Sequence, residues 1–339
     1  MDACGASGAS VTSFENPNLG PSGEKLYTDC VSFGAESAHK VLIVNSAIHG
    51  VEGFCGSGAQ IGWLRAGRFA DIPSGMRVVL IHALNPFGFA WLRRVNEDNV
   101  DLNRNFVRFS SALPGNSGYE TFHHRLTPAR WDDATPGEIG EILSDYADRH
   151  GLLSMQAAIC SGQYRHRDGI FYGGERASWS SQVFEKIIRE HASGASQLLL
   201  LDFHTGLGPY GVPELISSSP PDAGIAGWFS DKLTCALMGN AVGPSLNGTI
   251  GQGLRRFAEL ADVHSITAEF GTYDVYRVLL AVIADNWLHA RGSPKSGVGK
   301  RIKLEIRKSF YPDEDDWRDA VAAGSQRILD EAVAGLASS

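Results

Sequence analysis

The sequence predicts an α/β protein, and three observations lead there. Residues 41–44 are four aliphatic side chains in a row, three of them β-branched, running into a glycine-punctuated loop. Such a run reads as a strand buried on both faces. Residues 56–68 (GSGAQIGWLRAGR) carry apolar side chains at helical spacing, and residues 77–84 (RVVLIHAL) form a second apolar run. Strand, helix and strand at that spacing make a crossover unit of an α/β sheet. Far along the chain, residues 197–203 (QLLLLDF) repeat the buried-strand pattern in its most apolar form.

Taken in order, residues 1–24 are rich in Gly, Ser, Ala, Asn and Pro and read as a loose lead-in. The strand over 41–48, the helix over 56–68 and the strand over 77–84 follow, the last ended by Asn85-Pro86-Phe87-Gly88. Residues 91–109 hold Arg93, Arg94, Asn99, Asp101, Asn103, Arg104 and Asn105. A polar stretch of that length marks a functional loop rather than a connection. Residues 110–135 read as irregular. Thr135-Pro136-Gly137-Glu138 has the form of a helix start, with Thr135 as N-cap, Pro136 at the first position and Glu138 closing a capping box. That helix runs to His150. Further helices are expected over 152–160, 178–191, 222–239, 274–290 and 314–336, and further strands over 213–219 and 265–270. No repeat, low-complexity tract or linker divides the chain, so one catalytic domain over residues 1–339 is expected.

At 43% hydrophobic and 20% charged, the 339 residues have the composition of a globular protein. A net charge of −8 offers no basic surface for nucleic acid or an anionic membrane. No apolar run approaches the roughly 18–20 residues of a membrane span. The first ten residues have neither the basic nor the apolar segment of a secretory signal. Five cysteines, odd in number and without a CxxC pair, argue against a disulfide framework and against Cys-ligated zinc. A reduced, cytoplasmic protein is the expectation.

Three of the expected strands end in residues with metal or acid–base chemistry. His49 and Glu52 follow the first, His204 ends the strand over 197–203, and Glu269 lies in the strand over 265–270. In open α/β sheets the functional crevice lies outside the carboxyl ends of the strands. Two imidazoles and one carboxylate suit a catalytic zinc, which keeps a position for water, lowers its pKa to about 7 and polarises a carbonyl. Glu269 is then the candidate general base. Asp202, two residues before His204, points to the same side of its strand and is a candidate to orient an imidazole. His39, His82, His123, His124, His166 and His264 have no spacing that demands a metal, and Cys55 fits packing better than nucleophilic chemistry. No GxSxG elbow occurs, which counts against a serine hydrolase of the α/β-hydrolase type.

HGVE at 49–52, DLNRNF at 101–106, DFH at 202–204 and TAEF at 267–270 occur in the order found in the zinc carboxypeptidase family, which the chain resembles over residues 49–270. That family also contains the succinylglutamate desuccinylase/aspartoacylase group of deacylases. The resemblance implies an α/β/α sandwich around a mixed, mainly eight-stranded sheet. It also implies one zinc ion held by His49, Glu52 and His204, with Glu269 as the catalytic glutamate. Asn103 and Arg104 match the pair that grips the substrate carboxylate. An arginine upstream of that pair would stabilise the oxyanion; Arg94 matches it, with Arg93 in reserve. The chemistry agrees, since a guanidinium fork suits a carboxylate and a fixed cation suits a developing oxyanion.

The chain also departs from the family pattern. Peptide-cleaving members place a substrate-binding Tyr upstream of the catalytic Glu, whereas residues 244–262 hold no Tyr and carry Arg255 and Arg256. Those two read equally as a substrate clamp or a solvated pair. The chain ends in helices, not in the β-rich domain common in the deacylase group. Residues 162–174 (GQYRHRDGIFYGG) are similar to a segment of an uncharacterised bacterial branch and offer Tyr164, Gln163 or Tyr172 to the pocket. The expected function is a zinc-dependent amide hydrolase, a carboxypeptidase or a deacylase, acting on a peptide or small molecule with a free carboxylate. The alternative is a non-catalytic module that grips a carboxylate ligand on the same fold.

Overall fold

The computed structural model describes residues 9–218, 224–235, 238 and 241–339. Its centre is an eight-stranded mixed sheet. In chain order the strands are β1 (Ser10–Leu19), β2 (Lys25–Gly34), β3 (Lys40–Asn45), β4 (Met76–His82), β5 (Gln197–Tyr210), β6 (Pro213–Ser217), β7 (Leu233–Cys235) and β8 (Asp262–Gly271). They lie side by side as β1-β2-β4-β3-β5-β8-β6-β7. The inner strands β4, β3, β5 and β8 run parallel, so their carboxyl ends share one edge. The flanking pairs β1/β2, β2/β4 and β6/β8 are antiparallel.

Alternation along the inner strands feeds two helix layers. Leu42 and Val44 join Leu199, Leu201 and Phe203 on the face covered by α1 (Gly53–Arg65) and α10 (Asp315–Ser338). Val41 and Ile43 join Leu198 and Leu200 on the other face, under α6 (Trp179–His191) and α7 (Ile250–Phe257). Leu198, Leu199, Leu200 and Leu201 of β5 are all fully buried, each worth roughly 1.5–3 kcal/mol, which makes β5 the fixed middle of the sheet. A third apolar cluster gathers α3 (Ser117–Leu126), α4 (Thr135–His150), α5 (Leu152–Cys160), α8 (Val275–Arg291) and α9 (Gly297–Phe310) beyond the strand ends. A short α2 (Pro86–Ala90) follows β4, with Asn85 Oδ1 accepting from the Gly88 N–H at 2.9 Å. The α/β/α layering and the eight-stranded mixed sheet are those the family resemblance implies.

Several local expectations need correction. Residues 1–24 are not a loose lead-in throughout, because residues 10–19 form β1 and pair with β2; residues 1–8 lie outside the described residues. β1 is an edge strand, mostly exposed, so its composition carries no apolar signal. β2 hides its alternation because two of its inward positions are Thr28 and Ser32. The helix at 135 starts on a different cap: Asp132 Oδ1 accepts from the N–H groups of Ala134 and Thr135 at 3.0 and 3.1 Å, and Ala134 is the N-cap. Residues 110–135, read as irregular, contain α3, which begins where Asn116 accepts from Tyr119 N–H. The helix expected over 222–239 lies partly outside the described residues, and within them Leu233–Cys235 is β7, parallel to β6.

α8 and α9 are locked by a buried charge cluster. Asp285 on α8 pairs with Lys303 of α9 and, at 3.3 Å, with Arg93 Nε. Burial pushes the Asp285 carboxyl up, but Lys303 and Arg93 outweigh it and hold it below the usual carboxylate range. A carboxyl with a depressed native pKa adds stability above its unfolded pKa of about 3.9, and that stability is lost as pH falls through the native value. Asp285→Asn is therefore expected to cost about 3 kcal/mol at pH 7. In urea titrations of both proteins the gap should close as pH drops below about 4; a gap that does not change with pH would contradict the ion-pair account.

Candidate active site

The register of the sheet brings the chemistry together. Asn45, the last residue of β3, pairs with Asp202, and His204 pairs with Glu269 on β8. His49 and Glu52 follow β3 on a single 3-10 turn (Gly50–Glu52) that leads into α1. This turn is stitched to the polar loop, since the N–H groups of Gly50 and Val51 donate to the carbonyls of Arg94 and Arg93 at 3.2 and 2.8 Å. Gly50 is needed there: a Cβ would meet a Gly88 backbone carbon at 2.0 Å. The backbone around the site holds non-glycine residues at positive φ, Ala47 (58°), Leu92 (51°), Asn99 (62°) and Phe171 (52°). Such conformations are costly outside Gly and Asn, and they gather where structure over-determines them.

His49, Glu52 and His204 are all buried, and one donor atom from each lies within 4.8 Å of the others. Both imidazoles are held alike. His49 Nε2 faces Asp101 Oδ1 at 3.0 Å, and His204 Nε2 faces Asp202 Oδ2 at 2.6 Å. Carboxylate acceptors put the proton on Nε2 of each ring and turn the Nδ1 lone pairs inward. His204 Nδ1 then lies 3.0 Å from Glu52 Oε2, and His49 Nδ1, 3.1 Å from Glu52 Oε1, makes no hydrogen bond. Acceptors that face each other at this distance need a proton or a cation between them. Burial opposes charge at His204, yet Asp202 and then Glu52 raise its pKa well above the imidazole value.

The charge balance asks for a cation too. Asp101, Asp202 and Glu52 are buried, and Glu269 is partly exposed toward the adjoining cavity. Against these four carboxylates stand two guanidinium groups, Arg94 and Arg104. With both imidazoles neutral and Glu269 ionised, as they would be around a bound cation, the cluster keeps two negative charges in excess, the charge of one divalent ion. The donor set, His/Glu/His with carboxylates behind both rings, has the chemistry that could hold a transition-metal ion.

Arg94, rather than Arg93, reaches into this group. Its Nη1 pairs with Glu52 Oε1, its Nη2 lies 3.0 Å from His49 Nε2, and its Nε lies 3.4 Å from Asp101 Oδ2. Arg93 turns the other way, to Asp285 and to Asn99 at 2.8 Å. Burial pushes Glu52 up, but His49, Arg94 and His204 hold it below the usual carboxylate range. Asp101 is lowered in the same way, burial being outweighed by His49, Arg104 and Arg94. Glu269 moves oppositely: withdrawal from water, then the charge of Glu52, push it up to about 7. Its Oε1 accepts from the Leu207 N–H at 3.0 Å, and its Oε2 has no partner among the described residues.

These residues open into a cavity of about 250 Å³ whose walls include His49, Arg94, Asn103, Arg104, His204 and Glu269. Asn103 Oδ1 accepts from the Ile250 N–H at 2.9 Å, which ties the DLNRNF loop to the start of α7. Arg104 is buried, donates to the carbonyls of Asn103 and Cys160, and lies over the Phe171 ring at 5.7 Å. Two expected pocket residues are elsewhere. Tyr164 is not among the cavity-lining residues; its hydroxyl donates to the Arg104 carbonyl at 2.6 Å, and its ring sits against Gly173. Arg255 lines a separate surface groove with Arg256 and donates to the Val263 carbonyl at 3.3 Å. Sequence reasoning named Asp101 only as part of the polar loop and its DLNRNF motif, missing its place behind His49. The Asp-x-Asn spacing was the available signal, because Asp101 caps its own turn through the Asn103 N–H at 3.0 Å. The His123 and His166 rings stack at 3.7 Å, but no further group of three metal-donor residues occurs among the described residues. Nor is any of their helices long and apolar enough to cross a membrane.

The family described as "Protein of unknown function (DUF2817)" matches residues 1–324. No curated protein matches the chain. Among solved structures it is similar to carboxypeptidase A from Helicoverpa armigera, at 14% identity over 90% of this chain and 70% of that one, with a TM-score of 0.44. It is similar to the murein-tripeptide amidase MpaA from Escherichia coli O157, at 16% identity over 93% and 97% of the two chains and a TM-score of 0.40. A putative succinylglutamate desuccinylase/aspartoacylase family protein from Shewanella amazonensis SB2B is 18% identical over 82% and 72%, with a TM-score of 0.40. At these values the chemistry has to be read from the side chains of this chain. Asp101→Asn, which leaves all three metal-donor side chains in place, is expected to weaken divalent-metal binding by about ten- to a hundredfold. Competition against a chromophoric chelator measures this, and unchanged affinity would remove Asp101 from behind His49.

Proposed function

The chain belongs to the family described as "Protein of unknown function (DUF2817)", and we propose that it is a zinc-dependent amide hydrolase acting on substrates with a free carboxylate, either a C-terminal peptide bond or an N-acyl amino acid. One observation carries the reading: a buried His49/Glu52/His204 donor group stands beside Glu269, whose strand position is in register with His204. Zinc bound by these three residues would activate a water and polarise the scissile carbonyl.

The remaining roles belong to the chain. Glu269, with Oε2 free and a carboxyl near neutrality, takes a proton from the attacking water and returns it to the departing amine nitrogen. The Arg94 guanidinium, fixed by Glu52 and Asp101, supplies a cation for the oxyanion that develops on the carbonyl oxygen. Asn103 and Arg104 line the cavity beside it and present N–H donors to a carboxylate. The domain over residues 1–339 works as one unit in this proposal, since residues from both halves of the sequence build the site.

Purified protein is expected to hold one zinc per chain, or cobalt or manganese where these are supplied. It is expected to hydrolyse members of a panel of C-terminal dipeptides and N-acyl amino acids. Glu269→Gln should keep the metal and lose about 10²–10⁴ in kcat. Protein that takes up no metal, or a Glu269→Gln variant that turns over normally, would refute the proposal.

A further inference from the structure

The end of the cavity remote from His204 is built of hydrogen-bonding groups that take no partner among the described residues. Glu269, Thr267 and Ser265 project from the same face of β8 and all line the cavity, with Ser265 about 13 Å along the strand from Glu269. Ser265 is only 6% exposed, and its hydroxyl has no partner among the described residues. Ser218 Oγ is buried and likewise unpartnered. Between them lies Gly251 on the first turn of α7: a Cβ there would meet Ser265 Oγ at 2.5 Å and Ser218 Oγ at 3.5 Å. The absent side chain thus brings the helix backbone against both hydroxyls.

The helix start adds polarity. Thr249 and Gln252 form a reciprocal capping box, and Ile250 N–H is taken by Asn103. The Gly251 N–H, the next in line, takes no partner among the described residues. It points from the positive end of the α7 dipole. Apart from Glu269 at the other end, no carboxylate lines the cavity among the described residues.

Resting on the amide-hydrolase reading, we propose that Ser218, Ser265 and the Gly251 N–H form a specificity subsite for an oxygen acceptor at the tip of the released amino acid's side chain, a carboxylate or a carboxamide. An apolar side chain would strand three hydrogen-bonding groups, and a cation would face the positive end of a helix. The carboxylate grip is adjacent, because Asn103 touches the neighbouring residue of the same turn. One amino acid therefore reaches both with its two ends.

The test separates this subsite from the chemistry. Full-length Glu269→Gln protein is titrated calorimetrically with free aspartate, glutamate, asparagine, glutamine, leucine and lysine. The acceptor-ended amino acids are expected to bind at least about tenfold tighter than leucine or lysine, the acid and amide arms telling a carboxylate from a carboxamide. Ser265→Ala and, independently, Ser218→Ala should shrink that ratio several-fold. Equal binding of leucine, no binding of any member, or an unchanged ratio in both variants would overturn the subsite. If the preference is found while the wild-type chain hydrolyses neither the matching N-acetyl amino acids nor dipeptides ending in the same residues, the subsite stands and the hydrolase reading falls.

Discussion

The constraint on which the structure turns is the burial of like charge at one edge of the sheet. Glu52, Asp101 and Asp202 are each about 1% exposed or less, and Glu269 faces the same space. Carboxylates this close in a low-dielectric recess repel strongly unless cations are interleaved. Arg94 meets two of them, Arg104 approaches Asp101 at 4.0 Å, and the two imidazoles each stand between a pair. The polar loop 91–109 carries both guanidinium groups and Asp101 into the cluster from one side, while β3 and β5 lead into Glu52, Asp202 and the two histidines on the other.

The same constraint explains why Arg93 and Arg94, adjacent in sequence, have separate fates. Leu92 at positive φ turns the chain just before them, and consecutive side chains then leave on opposite sides. One neutralises the metal-donor group, the other the Asp285 and Lys303 cluster between α8 and α9. The outer helices are thereby fastened to the loop that carries the site.

Much of this was legible in the sequence. The inner strands announce themselves because burial on both faces demands unbroken aliphatic runs, as at 41–44 and 197–203. The metal-donor residues and Glu269 were legible because strand ends converge at one edge. Elements with mixed surroundings were not. β1 has almost no buried face, and α7 and α9 carry glycines in their first turns, which hide where these otherwise amphipathic helices begin. Arg255 and Tyr164 were misplaced for a related reason. Sequence gives a residue's chemistry but not its direction, and Tyr164 is turned to a backbone carbonyl while Arg255 leaves α7 on its outer side. The inward turn of α7 is occupied instead by Gly251, a residue with no side chain to read.

The hydrogen bond between Asn103 and the Ile250 N–H spans 147 residues of sequence, and the contact between Glu52 and His204 spans 152. Contacts of that separation cost the most chain entropy to close and are rewarded only after the intervening strands have paired. The cavity is accordingly a product of the completed sheet. A partly folded chain presents neither the grip for a carboxylate nor the paired imidazoles, so recognition by this protein is confined to its finished form.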